Sequence, residues 1–192
     1  MNHDRMSDET VRGRIRNFLL DHLSLIQAPV LEVGSLLPMT NGGYAFWAYN
    51  RNLVPEGTEW VGLDFQAGSN VDVVADIEKQ TSLPEAYFQT ILCSEVMEHL
   101  YKPWDALEEM HRVLKPDGWI VITTLFSFPI HGYPDDYWRY SPSCMERLMK
   151  DAGFKDIKVL TAGEVEYALA NDIAGAFEYK KVPIHIFAVG RK

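Results

Sequence analysis

The sequence predicts an α/β fold in which a largely parallel, doubly wound sheet is covered by helices on both faces. Two observations support this prediction. Short continuous apolar runs alternate along the chain with segments of helical spacing, and most of these runs stop at an acid or a glycine. Strands that are buried on both faces have such continuous apolar runs. The 192 residues, 47% of them hydrophobic, are enough for one core and few for two, so we expect one domain.

The elements follow in order along the chain. Val11, Ile15, Phe18 and Leu19 recur at helical spacing, which predicts an N-terminal amphipathic helix. Strands are predicted at "APVLEVGS", "EWVGLDF", "VDVVADI", "YFQTILCSE", "GWIVITTLF", "KDIKVLTAG" and "VPIHIFAVGRK". Helices are predicted at "NGGYAFWAYNRNL", opened by Asn41 or Gly42, at "PWDALEEMHRVLKPDG", with Pro103 in its first turn, and at "SPSCMERLMKDAGF", capped by Ser141 or Ser143. A helical or mixed segment is expected over residues 164–177.

Composition excludes several classes of partner. The net charge of −9 argues against a nucleic-acid partner, because the surface would repel a phosphate backbone. No apolar run has the length of a membrane span or the form of a signal peptide, so no membrane partner is expected. Cys93 and Cys144 show neither metal-ligand spacing nor a disulfide framework, which suits a reducing compartment and predicts a cytoplasmic protein. The sequence leaves the oligomeric state open.

Two strand ends point to an adenosine-type ligand. In open sheets of this kind, ligands bind outside the carboxyl ends of the strands. Gly34 ends the first strand and allows a ligand to approach the backbone, while Asp64 ends the second and offers a carboxylate to a ribose diol. A full GxGxxG is absent, because residues 36–39 contain no glycine, and this lowers the case for NAD or ATP.

Four motifs carry a family resemblance: "VLEVGS", "VGLDF", "VVADIE" and "FQTILCSEVMEHLYKPWDALEEMHRVLKPDGWIVITT". From about Pro29 to Val189 the chain resembles the class I S-adenosylmethionine-dependent methyltransferases, in particular the compact, type 11-like family that acts on small molecules. The resemblance implies a Rossmann-like, seven-stranded sheet whose last strand is antiparallel, a place that "VPIHIFAVGRK" fits. We expect a single methyltransferase domain over residues 1–192, with a cofactor-binding core over 28–192, and we hypothesise that the N-terminal helical segment 1–27 covers the active site.

The resemblance also assigns the cofactor site. Glu32 and Gly34 match the first motif, Asp64 the ribose-binding acid, and Asp76 with Ile77 the pair that contacts adenine. Ser94 and Glu95 match the loop that lies against the cofactor after the fourth strand. Ser35 and Phe65, which follow Gly34 and Asp64, complete the expected set. The cofactor implied is S-adenosylmethionine, with S-adenosylhomocysteine as product. The glycines usual at positions 36 and 38 are replaced by Leu36 and Pro38, and residues 40–43 are an alternative turn.

The segment "FPIHGYPDDYWRYSP", residues 128–142, is the candidate wall for the methyl acceptor, a small molecule methylated on oxygen or nitrogen. His131 is the candidate base. The expected acceptor contacts are Arg139, Tyr137, Tyr133 and His99. Arg139 has an equal alternative as a partner of Asp135 or Asp136 that locks the loop, and for these two acids a solvated or capping role is favoured.

No metal is predicted, since the spacing of Asp135, Asp136, Asn171 and Asp172 does not require one. Two other functions stay open at this point. One is a nicotinamide-dependent oxidoreductase, although the turn after the first strand lacks the glycines of a dinucleotide-binding motif and no Tyr-x-x-x-Lys pair lies near the fifth strand. The other is a non-catalytic binding module that keeps the fold.

Overall fold

The computed structural model describes residues 7, 10–37, 39–40, 43–44, 50–132, 135–171 and 176–192. The main sheet contains seven strands. They are β1 (Val30–Val33), β2 (Trp60–Asp64), β3 (Val73–Val74), β4 (Phe88–Ser94), β5 (Leu114–Leu125), β6 (Lys155–Asn171) and β7 (Ala176–Arg191). The helices are α1 (Val11–Asp21), α2 (Pro103–Val113) and α3 (Pro142–Asp151), with 3-10 turns at Leu23–Leu25, Asn50–Leu53 and Met97–His99.

The strand order is β3-β2-β1-β4-β5-β7-β6. The pairs β3/β2, β2/β1, β1/β4 and β4/β5 are parallel, whereas β7 is antiparallel to both of its neighbours, β5 and β6. The order reverses between β1 and β4, so the carboxyl ends of these two strands form a crevice. The predicted parallel sheet with an antiparallel last strand is therefore confirmed.

The two faces of the sheet carry different layers. Leu31, Val33, Ile91, Cys93 and Ile122 alternate along the strands toward the layer of α2 and α3, where they meet buried residues such as Leu107 and Met149. The alternate positions Val30, Leu92, Val121 and Val189 pack with Phe18 and Leu19 of α1, and Phe18 stacks on Phe187 with ring centroids 4.5 Å apart. Helices thus cover both faces.

Helix ends follow local chemistry. Pro103 occupies the first turn of α2, and the hydroxyl of Ser141 accepts a hydrogen bond from the Cys144 amide at the start of α3. Of the two predicted caps for α3, Ser141 is therefore the one used. None of the described helices is long and apolar enough to cross a membrane.

Two predicted helices are wrong. Residues 164–171 and 176–177 belong to β6 and β7, because the alternation "EVEYALA" suits a two-residue period and every position pairs across the hairpin, as Glu164 does with Pro183. The helix expected to open at Asn41 or Gly42 also fails, since Gly43–Tyr44 pair antiparallel with Met39–Thr40. Residues 41–42 and 45–49 lie outside the described residues.

Candidate active site

A cavity of about 1060 Å³ opens at the carboxyl ends of β1, β2 and β4. Eight of the residues predicted for the cofactor or the acceptor line this cavity: Gly34, Asp64, Phe65, Asp76, Ile77, Glu95, His99 and Tyr137. Its wall also includes Leu36, Val96 and Tyr101, which the sequence did not single out. The cavity lies where the strand order reverses, the usual ligand position in such sheets.

Gly34 brings the backbone to the cavity wall. Its φ of +73° lies in the left-handed region that favours glycine. A Cβ built at this position would lie 2.2 Å from Cγ2 of Val96, so the turn after β1 has no room for a side chain. The glycine prediction thus has a direct steric reason.

Asp64 ties the first turn to the second strand. Its Oδ2 accepts a hydrogen bond from the Leu36 amide at 3.1 Å, and its Oδ1 accepts one from the Gln66 amide at 3.1 Å. Both oxygens keep acceptor capacity, because a carboxylate offers about four lone-pair positions. The buried carboxylate at the cavity edge can therefore take hydrogen bonds from a diol.

Asp76 is held in its charged form at the far side of the cavity. Partial burial raises the pKa of Asp76, but the hydrogen bonds from Lys79 and from the Glu78 amide lower it more, for a net decrease. Ile77 beside it is buried. The pair combines an acceptor and an apolar wall, as an adenine amino group and ring require.

Glu32 and Ser35 lie beneath the cofactor turn and do not line the cavity. The carboxylate of Glu32 accepts hydrogen bonds from Asn50 at 2.7 Å, Trp60 at 3.2 Å and Asn70 at 3.1 Å. Burial raises the pKa of Glu32 to about 7 despite these three donors. Asn70 also donates to the Ser35 carbonyl at 2.9 Å, so Glu32 orients the turn through Asn70.

Ser94 and Glu95 end the fourth strand in different ways. The hydroxyl of Ser94 bonds with that of Thr123 at 2.8 Å and points away from the cavity wall. Glu95 has a φ of +55°, is fixed by its amide to the Thr123 carbonyl at 2.8 Å, and lines the cavity. Burial and the nearby carboxyl of Glu98 raise the pKa of Glu95. Its Oε2 lies 3.8 Å from Nε2 of the fully buried His185.

The loop after β5 is locked by an ion pair. Arg139 donates to both oxygens of the buried Asp136 carboxylate and to the carbonyls of Phe128, Pro129 and Trp138. The Arg139 hydrogen bond holds the pKa of Asp136 well below its usual range. These contacts correspond to the loop-locking alternative for Arg139, and they occupy its planar donor set. The favoured solvated or capping role for Asp136 is wrong, because its side chain is only 2% exposed.

The same loop is docked on the turn that follows β4. The Glu98 carbonyl accepts hydrogen bonds from the amides of Tyr137 at 2.8 Å and Trp138 at 3.2 Å. The buried Tyr140 donates from its hydroxyl to the Met97 carbonyl at 2.8 Å. The segment 135–141 is thereby fixed against residues 97–98.

This docking assembles a cluster of Glu98, His99 and His131, whose ligand-type atoms all lie within 4.8 Å of one another. Nδ1 of His131 bonds with the Asp136 carboxylate at 2.9 Å, and Nδ1 of His99 bonds with the Asp135 carbonyl. Since both partners are acceptors, each Nδ1 is the donor, and in the neutral form of each ring Nε2 carries the lone pair. His99 lines the cavity, so the cluster lies at its edge.

Glu98 is the least satisfied member of the cluster. Its side chain is fully buried; Oε2 accepts from the Thr124 hydroxyl at 2.8 Å, and Oε1 has no hydrogen-bond partner among the described residues. Burial raises the pKa of Glu98. Oε1 lies 3.9 Å from Nε2 of His99. The carboxylate and the two imidazoles form a site for a proton or a cation.

Sequence reasoning interpreted Glu98 as an acid at a helix start, favoured a solvated or capping role for Asp136, and did not single out His185. The only signal for Glu98 was its position one turn after the Ser94–Glu95 strand end, which also fits a helix start. Tyr133, predicted as an acceptor contact, lies outside the described residues. The described residues of segment 1–27 do not line the cavity, so its predicted role as a cover stays a prediction.

Comparison with known proteins agrees with this geometry. Residues 48–122 match the family described as Methyltransferase domain. A search of curated proteins by sequence found no match. The match begins before β2, ends within β5, and includes Asp64, Asp76 and Glu95.

Solved structures share the fold over nearly the whole chain. A SAM-dependent methyltransferase from Archaeoglobus fulgidus has a TM-score of 0.65 at 20% identity, covering 98% of this chain and 96% of the other. The 1,6-didemethyltoxoflavin-N1-methyltransferase of Burkholderia thailandensis, solved with S-adenosylhomocysteine, has a TM-score of 0.58 at 18% identity and coverages of 96% and 79%. A possible histamine N-methyltransferase from Thermotoga maritima has a TM-score of 0.59 at 16% identity and coverages of 90% and 87%.

The likeness to solved structures concerns the fold, and the family match covers the cavity residues between Leu63 and Tyr101. The confirmed strand order, the cavity at the reversal point and the matched domain agree with one another. Residues 48–122 thus match a methyltransferase domain, and the chain shares its fold with S-adenosylmethionine-dependent methyltransferases.

Proposed function

We propose that the protein transfers the methyl group of S-adenosylmethionine to an oxygen or nitrogen atom of a small molecule. The observation that carries the proposal is the continuity of the cavity: Gly34, Asp64 and Asp76 line one part, and His99 and Tyr137 line another. A donor and an acceptor held in one such space can be aligned for in-line displacement. Alignment of this kind contributes on the order of 7 kcal/mol or more to the lowering of a barrier.

The cofactor residues divide into contacts and supports. In the proposal Asp64 accepts from the ribose diol, Asp76 and Ile77 meet the adenine, and Gly34 with Glu95 borders the methionine end. Phe65, which is 47% exposed, covers the ribose side of the cavity. Glu32, Ser35 and Ser94 act from beneath by fixing the turns after β1 and β4.

His131 is the proposed base. The cofactor supplies a methyl group already activated on a sulfonium, so the protein has to align the acceptor and remove its proton. Asp136 receives the Nδ1 hydrogen of His131 and leaves the Nε2 lone pair available. Nε2 would take the proton of the acceptor O–H or N–H as the acceptor atom bonds to the methyl carbon, whose bond to sulfur breaks to release S-adenosylhomocysteine. Arg139 contributes as a positioning residue by holding Asp136.

The proposed acceptor is small because its part of the cavity is bordered by short segments. Tyr101 and Tyr137 stand edge to face with ring centroids 5.4 Å apart, and both line the cavity. Such rings suit a flat or apolar acceptor. Two structural neighbours support this class, since the description of one names 1,6-didemethyltoxoflavin and that of the other names histamine.

The proposal includes a cytoplasmic location and no nucleic-acid or membrane partner. Cys93 and Cys144 are both free thiols, as expected in a reducing compartment. The formal charge of −9 supports the exclusion of nucleic acid. A contribution of segment 1–27 to acceptor binding remains part of the proposal, and deletion of these residues should raise the KM for the acceptor.

Calorimetry followed by a transfer assay tests the function. S-adenosylhomocysteine should bind with one site per chain and NAD should not bind. Radiolabelled methyl groups from S-adenosylmethionine should then appear on at least one member of a panel of small amines, phenols, heteroaromatic amines and sugars. Binding of NAD alone would support the oxidoreductase, and cofactor binding with no transfer to any member would support the non-catalytic module.

A further inference from the structure

We propose that the Glu98–His99–His131 cluster is an inhibitory binding site for a divalent transition-metal ion such as Zn²⁺. The inhibition rests on the proposed function, because the ion would take the lone pair of the proposed base. Binding of the ion does not rest on it. Such an ion is not a cofactor here, and the methyltransferase family requires no metal.

The donor set suits a borderline cation. Two imidazole nitrogens and one carboxylate oxygen converge, a combination used by zinc and its neighbours in the first transition row. Both histidines have their Nδ1 hydrogen bonded to an acceptor, the Asp136 carboxylate and the Asp135 carbonyl. This arrangement fixes ring orientation and presents Nε2, as is usual for histidines that ligate metals.

Glu98 provides an independent indication of a missing partner. Its side chain is 0% exposed, and Oε1, the oxygen 3.9 Å from Nε2 of His99, has no hydrogen-bond partner in the described part of the chain. An unsatisfied, buried carboxylate oxygen costs free energy that a cation or a proton would offset. Thr124 satisfies the other oxygen and leaves Oε1 directed at the histidines.

The geometry requires a modest closure. Ligand atoms about 2.0–2.1 Å from a tetrahedral zinc ion lie about 3.4 Å from each other. The atoms of the cluster lie within 4.8 Å of one another and the carboxylate–His99 separation is 3.9 Å, so the ion would draw the three side chains closer together. The side chains of His99 and His131 are 17% and 36% exposed, which gives an ion a path from the cavity side. A fourth position remains for water.

Titration of Zn²⁺ into the protein–S-adenosylhomocysteine complex tests the site without any acceptor. One ion per chain should bind, and the Glu98→Gln variant should bind at least tenfold more weakly. The partly exposed His99→Asn provides a second variant in case Glu98→Gln fails to fold, which thermal melting would reveal. The matched control is His22→Asn, which removes the histidine at the C-terminal cap of α1, outside the cluster, and should leave binding unchanged. Co²⁺ should give a visible spectrum in the wild type that Glu98→Gln loses.

The transfer assay tests the consequence. Zn²⁺ should inhibit the wild type, a chelator should restore activity, and zinc should not inhibit the His99→Asn variant over the same range. Absence of zinc binding, equal binding by Glu98→Gln, or stimulation of transfer by zinc would overturn the proposal. If zinc does not bind but methyl transfer is observed, the metal site is rejected and the proposed function stands. If zinc binds but no acceptor is methylated, the metal site is supported and the proposed function is not.

Discussion

Two buried glutamates, Glu32 beneath the cofactor turn and Glu98 behind the acceptor loop, differ in how many hydrogen bonds their carboxylates accept. Glu32 receives hydrogen bonds from three side chains, whereas Glu98 receives one from Thr124 and leaves Oε1 without a described partner. Both have a raised pKa because burial disfavours the charged form. The carboxylate of Glu32 is therefore satisfied by its neighbours, whereas the carboxylate of Glu98 retains unused acceptor capacity. Unused capacity of this kind is where chemistry with a ligand is expected.

Replacement of His131 by alanine should give the largest effect. If His131 is the base, kcat should fall on the order of 10²–10⁴-fold, the usual contribution of a positioned base. The affinity for S-adenosylhomocysteine should stay within about twofold, since His131 does not line the cavity and lies in the cluster at its edge. Steady-state kinetics with an acceptor from the panel and calorimetry measure the two quantities. A kcat near that of the wild type would show that His131 is not the base. It would also weaken the inference that the unused acceptor capacity around Glu98 marks the site of the chemistry.

Glu32→Gln should change the pH dependence of stability. The pKa of Glu32 is raised to about 7 in the folded state, so the unfolded chain loses this proton first as pH rises. The folded state is thus favoured at low pH, and Glu32 should remove up to about 3 kcal/mol of stability between its ordinary pKa and pH 8. Urea unfolding across this range should give a flatter profile for the variant. The control is the exposed Glu56→Gln, which should keep the wild-type slope; an unchanged slope for Glu32→Gln would show that Glu32 is not the source.

Gly34→Ala should weaken cofactor binding about 10–100-fold. Two features disfavour a side chain at this position: the φ of +73°, and the 2.2 Å distance at which an added Cβ would lie from Cγ2 of Val96. Backbone strain of this kind costs about 1–3 kcal/mol. Gly57→Ala is the matched control, because Gly57 has a φ of +84° with no atom within 4 Å of an added Cβ and does not line the cavity. Calorimetry with S-adenosylhomocysteine compares the two variants. Equal affinities would mean that the turn can move away from Val96.

Arg139→Lys should give a smaller effect confined to the acceptor side. Lysine cannot reproduce the planar fork that holds both oxygens of Asp136 and the surrounding carbonyls. The ring of His131 should then be less well oriented, and kcat should fall roughly tenfold with cofactor affinity unchanged. Arg147→Lys, which changes an exposed pair with Asp151 on α3, should leave both quantities unchanged. A change in KM alone for Arg139→Lys would instead favour direct contact with the acceptor.

Local patterns were sufficient for much of the fold and for the cofactor side. Continuous apolar runs predicted the strands of the parallel sheet, because strands covered on both faces need no polar alternation. Asp64 and Asp76 were predicted correctly to line the cavity, because the sheet places residues at the carboxyl ends of its strands beside the ligand site, independently of loop conformation. The strand hairpin of β6 and β7 was missed over residues 164–171 and 176–177, where the weak local pattern is decided by cross-strand pairing.

The sequence by itself determined the fold class, the family resemblance and the acids at the strand ends, since these depend on residues close together in the chain. Only the tertiary structure decided that Glu98 and His131, 33 positions apart in the printed sequence, belong to one cluster. That contact arises because the amides of Tyr137 and Trp138 donate to the Glu98 carbonyl and Arg139 locks the loop through Asp136. Such long-range hydrogen bonds leave no periodic signal in the sequence, so the acceptor side could be described only after the chain was folded.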